Sequence, residues 1–95
     1  MEKLPEEDIQ ARLESFPDWS INGDALQRTF SFEDFLAAMA FVNRVADLAE
    51  GHQHHPDIMV RYNKVTLTVT THDAGGLTEK DFDFARDTDG VAASL

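Results

Sequence analysis

Residues 58–72, IMVRYNKVTLTVTTH, decide how this chain folds. In an extended backbone successive side chains point to opposite faces, so Val65, Leu67 and Val69 share one side while Thr66, Thr68, Thr70 and His72 share the other. One face is apolar and the other polar. Asn63-Lys64 interrupts the run, and with IMVRY before it the stretch predicts a β-hairpin that lays an apolar face on a core. The same device stands upstream. Trp19 and Ile21 alternate before Asn22-Gly23, a pair that tolerates positive φ, and Leu26, Arg28 and Phe30 alternate after it.

Each hairpin leads into a helix signal. In FSFEDF, residues 30–35, Ser31 can cap a helix, Asp34 follows three positions later, and Phe30 can pack on Phe35, which predicts a helix from about residue 32. Phe35, Leu36, Met39, Val42, Ala46 and Ala49 then keep helical spacing, Phe41, Val45 and Leu48 widen the apolar face, and Gly51 is the expected stop. LTEKDF, residues 77–82, repeats the signal with Thr78 as cap, Asp81 three positions on, and Leu77 against Phe82. At the N-terminus, PEEDIQARLES places Pro5 and acids in a first turn and Ile9 and Leu13 on one face, a short amphipathic helix. The expected class is α+β: a four-stranded antiparallel sheet with helices packed on one face, built from an N-terminal helix followed by two hairpin-helix units. Residues 1–95 form a single domain with no linker, and TDGVAASL at the C-terminus reads as a frayed tail.

Composition narrows the function. A chain of 95 residues with 42% hydrophobic content supports one core despite a formal charge of −10. Eighteen acidic against eight basic residues repel phosphate backbones, so nucleic acid and anionic membranes are excluded as direct partners. Such a surface also suits high salt. Without cysteine there is no disulfide framework, thiol nucleophile or zinc-thiolate site. MEKLPEED lacks a secretory layout and FLAAMAFV is too short to span a bilayer, which points to a soluble cytoplasmic protein.

The stretch EGHQHHPD, residues 50–57, holds three of the four histidines. Pro56 biases His55 away from helical backbone, so the stretch should leave the second helix as an extended loop. His52, His54, His55 and His72 with Glu50, Asp57 and Asp73 offer nitrogen and oxygen ligands, but adjacent His54 and His55 diverge in an extended segment and no helical HExxH pair exists. Metal binding is therefore disfavoured. A solvated polar loop and a proton-transfer site both remain open on the residues alone. Imidazole titrates near neutral pH, and histidines mixed with carboxylates can divide into an acid and a base.

The segment Phe35–Ala85 resembles the pterin-4a-carbinolamine dehydratase family. Glu50, three residues, His54-His55-Pro56, then Tyr62-Asn63-x-Val65, Thr71-His72 and Gly76-Leu77-Thr78-x-x-Asp81 match its pattern in register, and Trp19 with FSFEDF extends the likeness toward the N-terminus. The resemblance implies dehydration of 4a-hydroxytetrahydropterin to quinonoid dihydropterin in tetrahydrobiopterin recycling, without metal or other cofactor. It makes His54 and His72 the acid/base pair, gives His55 a part in orienting the pterin and Glu50 a supporting one, and leaves His52 no role. Substrate contacts fall on His54, His55, Pro56, Thr71, His72, Asp73 and Ala74. Asp81 and Trp19 are lesser contributors by the same likeness, with a helix cap and sheet packing as their plainer readings. Two positions depart from the family: Gln53 replaces the usual Asp or Asn, and Lys80 stands where some relatives have Arg. The likeness also implies a homodimer or homotetramer formed by joining sheet edges and packing helices, and an aromatic amino-acid hydroxylase as the source of substrate. A non-catalytic binding or assembly module on the same fold, such as a dimerisation cofactor of a homeodomain transcription factor, is the alternative; the retained histidines favour the enzyme.

Overall fold

The computed structural model describes residues 2–95. Helix α1 (Glu6–Leu13) precedes strands β1 (Ser20–Asn22) and β2 (Ala25–Ser31), helix α2 (Phe35–His52), strands β3 (Asp57–Arg61) and β4 (Lys64–Val69), a 3-10 turn (His72–Ala74) and helix α3 (Glu79–Ala93). The strands form one antiparallel sheet in the order β1-β2-β4-β3. The α+β architecture read from the alternation is the one found.

Register explains the layers. Leu26 opposes Val69, Arg28 opposes Leu67 and Phe30 opposes Val65, so these positions share the helix-facing side, while Gln27, Thr29, Thr66 and Thr68 share the uncovered one. Onto the first side α2 lays Ala38, Phe41, Val45 and Ala49 and α3 lays Phe82, Phe84 and Ala85, all buried. Phe41 packs on Phe30 and Phe32 with ring centroids 4.7 and 4.9 Å apart. Burying such a ring stabilises by about 1.5–3 kcal/mol. Asp89 of α3 accepts hydrogen bonds from Trp19 Nε1 at 2.9 Å and Arg28 Nη1 at 2.7 Å, with Arg28 lying over Phe30. Thr88 beside it is fully buried, and its hydroxyl is the one enclosed side-chain polar atom without a partner among the described residues. Residues 88–93 are therefore an anchored helical turn and not a frayed tail.

Local boundaries moved for physical reasons. Asn22 pairs with Ala25, so the first turn is Gly23-Asp24 with Gly23 at φ 65°; Arg61 pairs with Lys64, so the second is Tyr62-Asn63 with Tyr62 at φ 52°. Asn63 is needed elsewhere, its side chain donating to the Phe32 carbonyl at 2.9 Å. Ser31 is committed to the β2–β4 ladder, so Asp34 caps α2 by accepting from the Ala37 amide at 2.8 Å. The inner stripe of α2 is rotated from the expected one: Phe35 and Leu36 are 46% and 77% exposed. Gly51 does not stop α2, which continues to His52 and ends at Gln53 in the left-handed region, φ 53°. Strand β4 stops at Val69, so His72 belongs to the 3-10 turn and not to a strand face. Among the described residues no helix is long and apolar enough to cross a membrane.

Candidate active site

Three pieces of chain meet at one end of the molecule: the exit of α2, the 3-10 turn after β4, and the first turn of α3. A pocket of about 260 Å³ between them is lined by Gln53, His54, His55, Thr70, Thr71, His72, Asp73 and Lys80. Histidines separated by the whole β3–β4 hairpin thus border one space.

The left-handed Gln53 makes this possible. Its backbone turns the chain out of α2, sending His54 inward, where it is 8% exposed, and leaving His55 exposed. Asn and Asp enter the left-handed region more readily than Gln, which gives a backbone reason for the family's usual residue here. The Gln53 amide compensates in part by donating to the Glu50 carbonyl at 3.1 Å.

His54 donates from Nε2 to Asp81 Oδ1 at 2.6 Å. Asp81 is fully buried, and its second oxygen accepts from Thr71 Oγ1 at 2.8 Å and from the Thr78 amide at 2.9 Å. Thr71 and Thr78 hydroxyls are 2.9 Å apart. Asp81 is thus a cap of α3, the plainer reading, and in the same position it faces His54. The Thr71 hydroxyl is committed to this network. His55 Nε2 donates to Glu50 Oε2 at 2.5 Å on the exposed rim. His72 is exposed in the pocket and has no ring hydrogen bond comparable with those of the other three histidines.

Other candidates lie apart. His52 turns to Asp87 at 2.9 Å and packs edge-on against Phe84. Trp19 is buried against Phe30 and bonded to Asp89, the sheet-packing role. Pro56 and Ala74 flank the pocket without lining it, and Asp57 opposes Thr68 on the uncovered sheet face. Among the described residues no three His, Asp or Glu side chains are grouped to hold a metal ion. Another concavity, about 900 Å³ on the uncovered sheet face, is lined by Gln27, Thr29, Met59, Arg61, Tyr62, Asn63, Lys64 and Thr66 and offers neither imidazole nor carboxylate. His54, His55 and His72 lie together at the smaller pocket. Thr70, Thr78, Gln53 and Lys80 were not singled out as site residues; Thr78 has the capping spacing to Asp81 as its signal, and Gln53 and Lys80 stand out as departures from the family pattern. Lys80 Nζ reaches the Gln53 carbonyl at 3.5 Å, so the two departures from the family pattern are neighbours.

Next to the pocket, Arg12 of α1 forms a two-pronged ion pair with Glu79 of α3. The hydrogen bond from Arg12 holds the Glu79 carboxyl below the usual carboxylate range, against an opposing desolvation effect. On the far side, Leu4 N donates to Leu77 O at 2.7 Å and ties the N-terminal segment to the loop that follows the 3-10 turn.

An α+β layer with an imidazole-lined pocket backed by a buried carboxylate brings together the side-chain types that general acid/base chemistry uses. The family model described as pterin 4 alpha carbinolamine dehydratase matches residues 2–91, and this chain belongs to that family. It is 55% identical over 86 residues to a protein of Thermomicrobium roseum, spanning 90% of this chain and 92% of the relative, which bears the name "Putative pterin-4-alpha-carbinolamine dehydratase". A protein of the same name from Chloroflexus aurantiacus is 53% identical over 91 residues, 96% of this chain and 98% of the relative. Among solved structures, the transcriptional coactivator/pterin dehydratase from Brucella melitensis superposes with a TM-score of 0.90 at 35% identity, over 95% of this chain and 98% of that one. A pterin dehydratase-like protein described as a RuBisCO assembly factor in the alpha-carboxysome superposes with a TM-score of 0.66 at 26% identity, over 81% of this chain and 89% of that one.

Proposed function

We propose that this protein dehydrates 4a-hydroxytetrahydropterin to quinonoid dihydropterin and water, by histidine acid/base catalysis, in the cytoplasmic recycling of tetrahydrobiopterin. The observation that carries the reading is the convergence of His54, His55 and His72 on one pocket, with His54 held by a buried carboxylate. In the reaction the C4a–O bond breaks, N5 loses its proton and a C4a=N5 bond forms. No electron leaves or enters, and the two protons balance: one is given to the departing hydroxyl, one is taken from N5. His54 and His72 exchange these protons, while His55, steadied by Glu50, orients the ring, with Thr71 and Asp73 lining the pocket and Pro56 and Ala74 beside it. A hydroxylase that leaves a hydroxyl on C4a, such as an aromatic amino-acid hydroxylase, is the class of reaction that supplies the substrate.

Stopped-flow decay of 4a-hydroxytetrahydropterin tests it. The protein should accelerate decay over buffer, and His54→Ala and His72→Ala should each remove ~10²–10⁴-fold of the acceleration. Folded protein that leaves the buffer rate unchanged defeats the enzyme reading.

The likeness to an assembly factor supports a second reading, a module that docks on a partner. Self-association fits either reading: strand β3 is a sheet edge carrying Ile58 and Met59, 38% and 50% exposed, and Phe35 and Leu36 lie open at the start of α2. Light scattering on a sizing column distinguishes a dimer from a tetramer.

A further inference from the structure

We propose that Asp81 is a positioning residue that assigns the direction of proton flow: it fixes His54 as the Nε2–H tautomer and leaves Nδ1 as the atom that takes the proton from substrate. This rests on the dehydratase reading for what the proton belongs to; which ring nitrogen carries the proton is argued from the contact between Nε2 and the Asp81 carboxylate.

The carboxylate has four acceptor sites and no proton to give when ionised. Thr71 Oγ1 and the Thr78 amide supply donors to Oδ2, and the Thr78 amide has no alternative polarity. Oδ1 faces His54 Nε2 at 2.6 Å, and an acceptor there requires a donor on the ring. In a neutral imidazole with the proton on Nε2, Nδ1 carries the lone pair.

Where Nδ1 lies follows from the polar atoms that are accounted for. The single enclosed, partnerless side-chain nitrogen or oxygen among the described residues is Thr88 Oγ1. His54 Nδ1 has no hydrogen bond of its own among those of the ring, so it is not enclosed and must reach the surface that His54 lines. That surface is the pocket. His54 is thereby the base toward N5, and the proton given to the leaving hydroxyl falls to His72, which no carboxylate holds.

Thr71 extends the device. Its hydroxyl bonds the same carboxylate, and the next residue is His72, so Asp81 joins His54 to the turn that carries the second imidazole. An asparagine at position 81 inverts the polarity. Its oxygen would be drawn to the Thr71 and Thr78 donors, its NH2 would face Nε2, and Nε2 would have to accept, moving the ring proton to Nδ1.

Nitrogen-detected NMR of protein carrying labelled histidine tests this without substrate. In wild-type protein the neutral His54 ring should carry its proton on Nε2; a neutral ring protonated on Nδ1 overturns the proposal. In folded Asp81→Asn the tautomer should invert, and an unchanged tautomer overturns the assigned cause. The wild-type spectrum decides the main point alone if Asp81→Asn does not fold. Where the wild type is an active dehydratase, Asp81→Asn should lower kcat by ~10²–10⁴-fold with a smaller change in KM, and its pH–rate profile should lose the limb due to the base. An inactive wild type with the Nε2–H tautomer would defeat the function and leave the tautomer standing.

Discussion

Thr88 is fully enclosed on the inner face of α3, and its hydroxyl meets no partner among the described residues. An enclosed hydroxyl without a hydrogen bond costs about 1–3 kcal/mol relative to an apolar group. Valine has the same branched shape and a similar helix propensity, so Thr88→Val exchanges the hydroxyl for a methyl with little other change. The expected gain is about 1–2 kcal/mol. For a domain of this size each kcal/mol moves Tm by about 4–8 °C. Urea unfolding followed through Trp19, the sole tryptophan, measures it directly because this indole is buried against Phe30 and bonded to Asp89 in the folded state. The midpoint should rise at constant m. Thr88→Ser is the control: it keeps the unpartnered hydroxyl and removes the methyl, and should lose about 1 kcal/mol. A valine variant no more stable than wild type would show that the hydroxyl is satisfied in solution and would refute the reasoning.

Three other substitutions test separate parts of the structure. Gln53→Gly relieves a left-handed backbone at the end of α2 but gives up the bond to the Glu50 carbonyl, and should stabilise by about 0.5–1 kcal/mol in the same urea assay. Glu79→Gln removes the ion pair with Arg12. Because the folded-state carboxyl is held low, wild type should be more stable by about 0.2–1 kcal/mol at neutral pH, and the advantage should vanish as pH falls below the usual carboxylate range and through the folded pKa; a difference that grows on acidification contradicts the assignment. His52→Ala, outside the pocket, should leave pterin dehydration within about twofold of wild type while the buffer-corrected rates of His54→Ala collapse.

Much of the fold was legible because period-2 alternation survives in Val65, Leu67 and Val69 and because both helix starts carry caps. What slipped was local and competitive. Ser31 and Asp34 are both good caps, and only the ladder to β4 decides between them. Phe35 and Leu36 satisfy helical spacing as well as Ala38 and Phe41 do, so the face that turns inward depends on where β2 and β4 lie beneath it. At the site, the histidine cluster was visible by density alone, His72 was a candidate on the residues themselves, and the family resemblance paired it with His54. The contact between Asp81 and His54 spans 27 positions and had no local trace beyond the capping spacing. Gln53 was noticed as a side chain, whereas its backbone is what shapes the loop.

The network around Asp81 also has a bearing on how the molecule assembles. His54 comes from the end of α2, Thr71 from beyond β4, and Asp81 and Thr78 from the last helix, so no early hairpin or isolated helix contains the site. The pocket comes into being only when the C-terminal helix docks. During refolding, the proposed dehydratase activity should therefore trail the recovery of sheet structure, and a nascent chain still held at its C-terminus in a narrow exit channel would lack the pocket although most of its strands are already out. In this architecture formation of the pocket marks the closing event of folding, set by the order in which the chain is made.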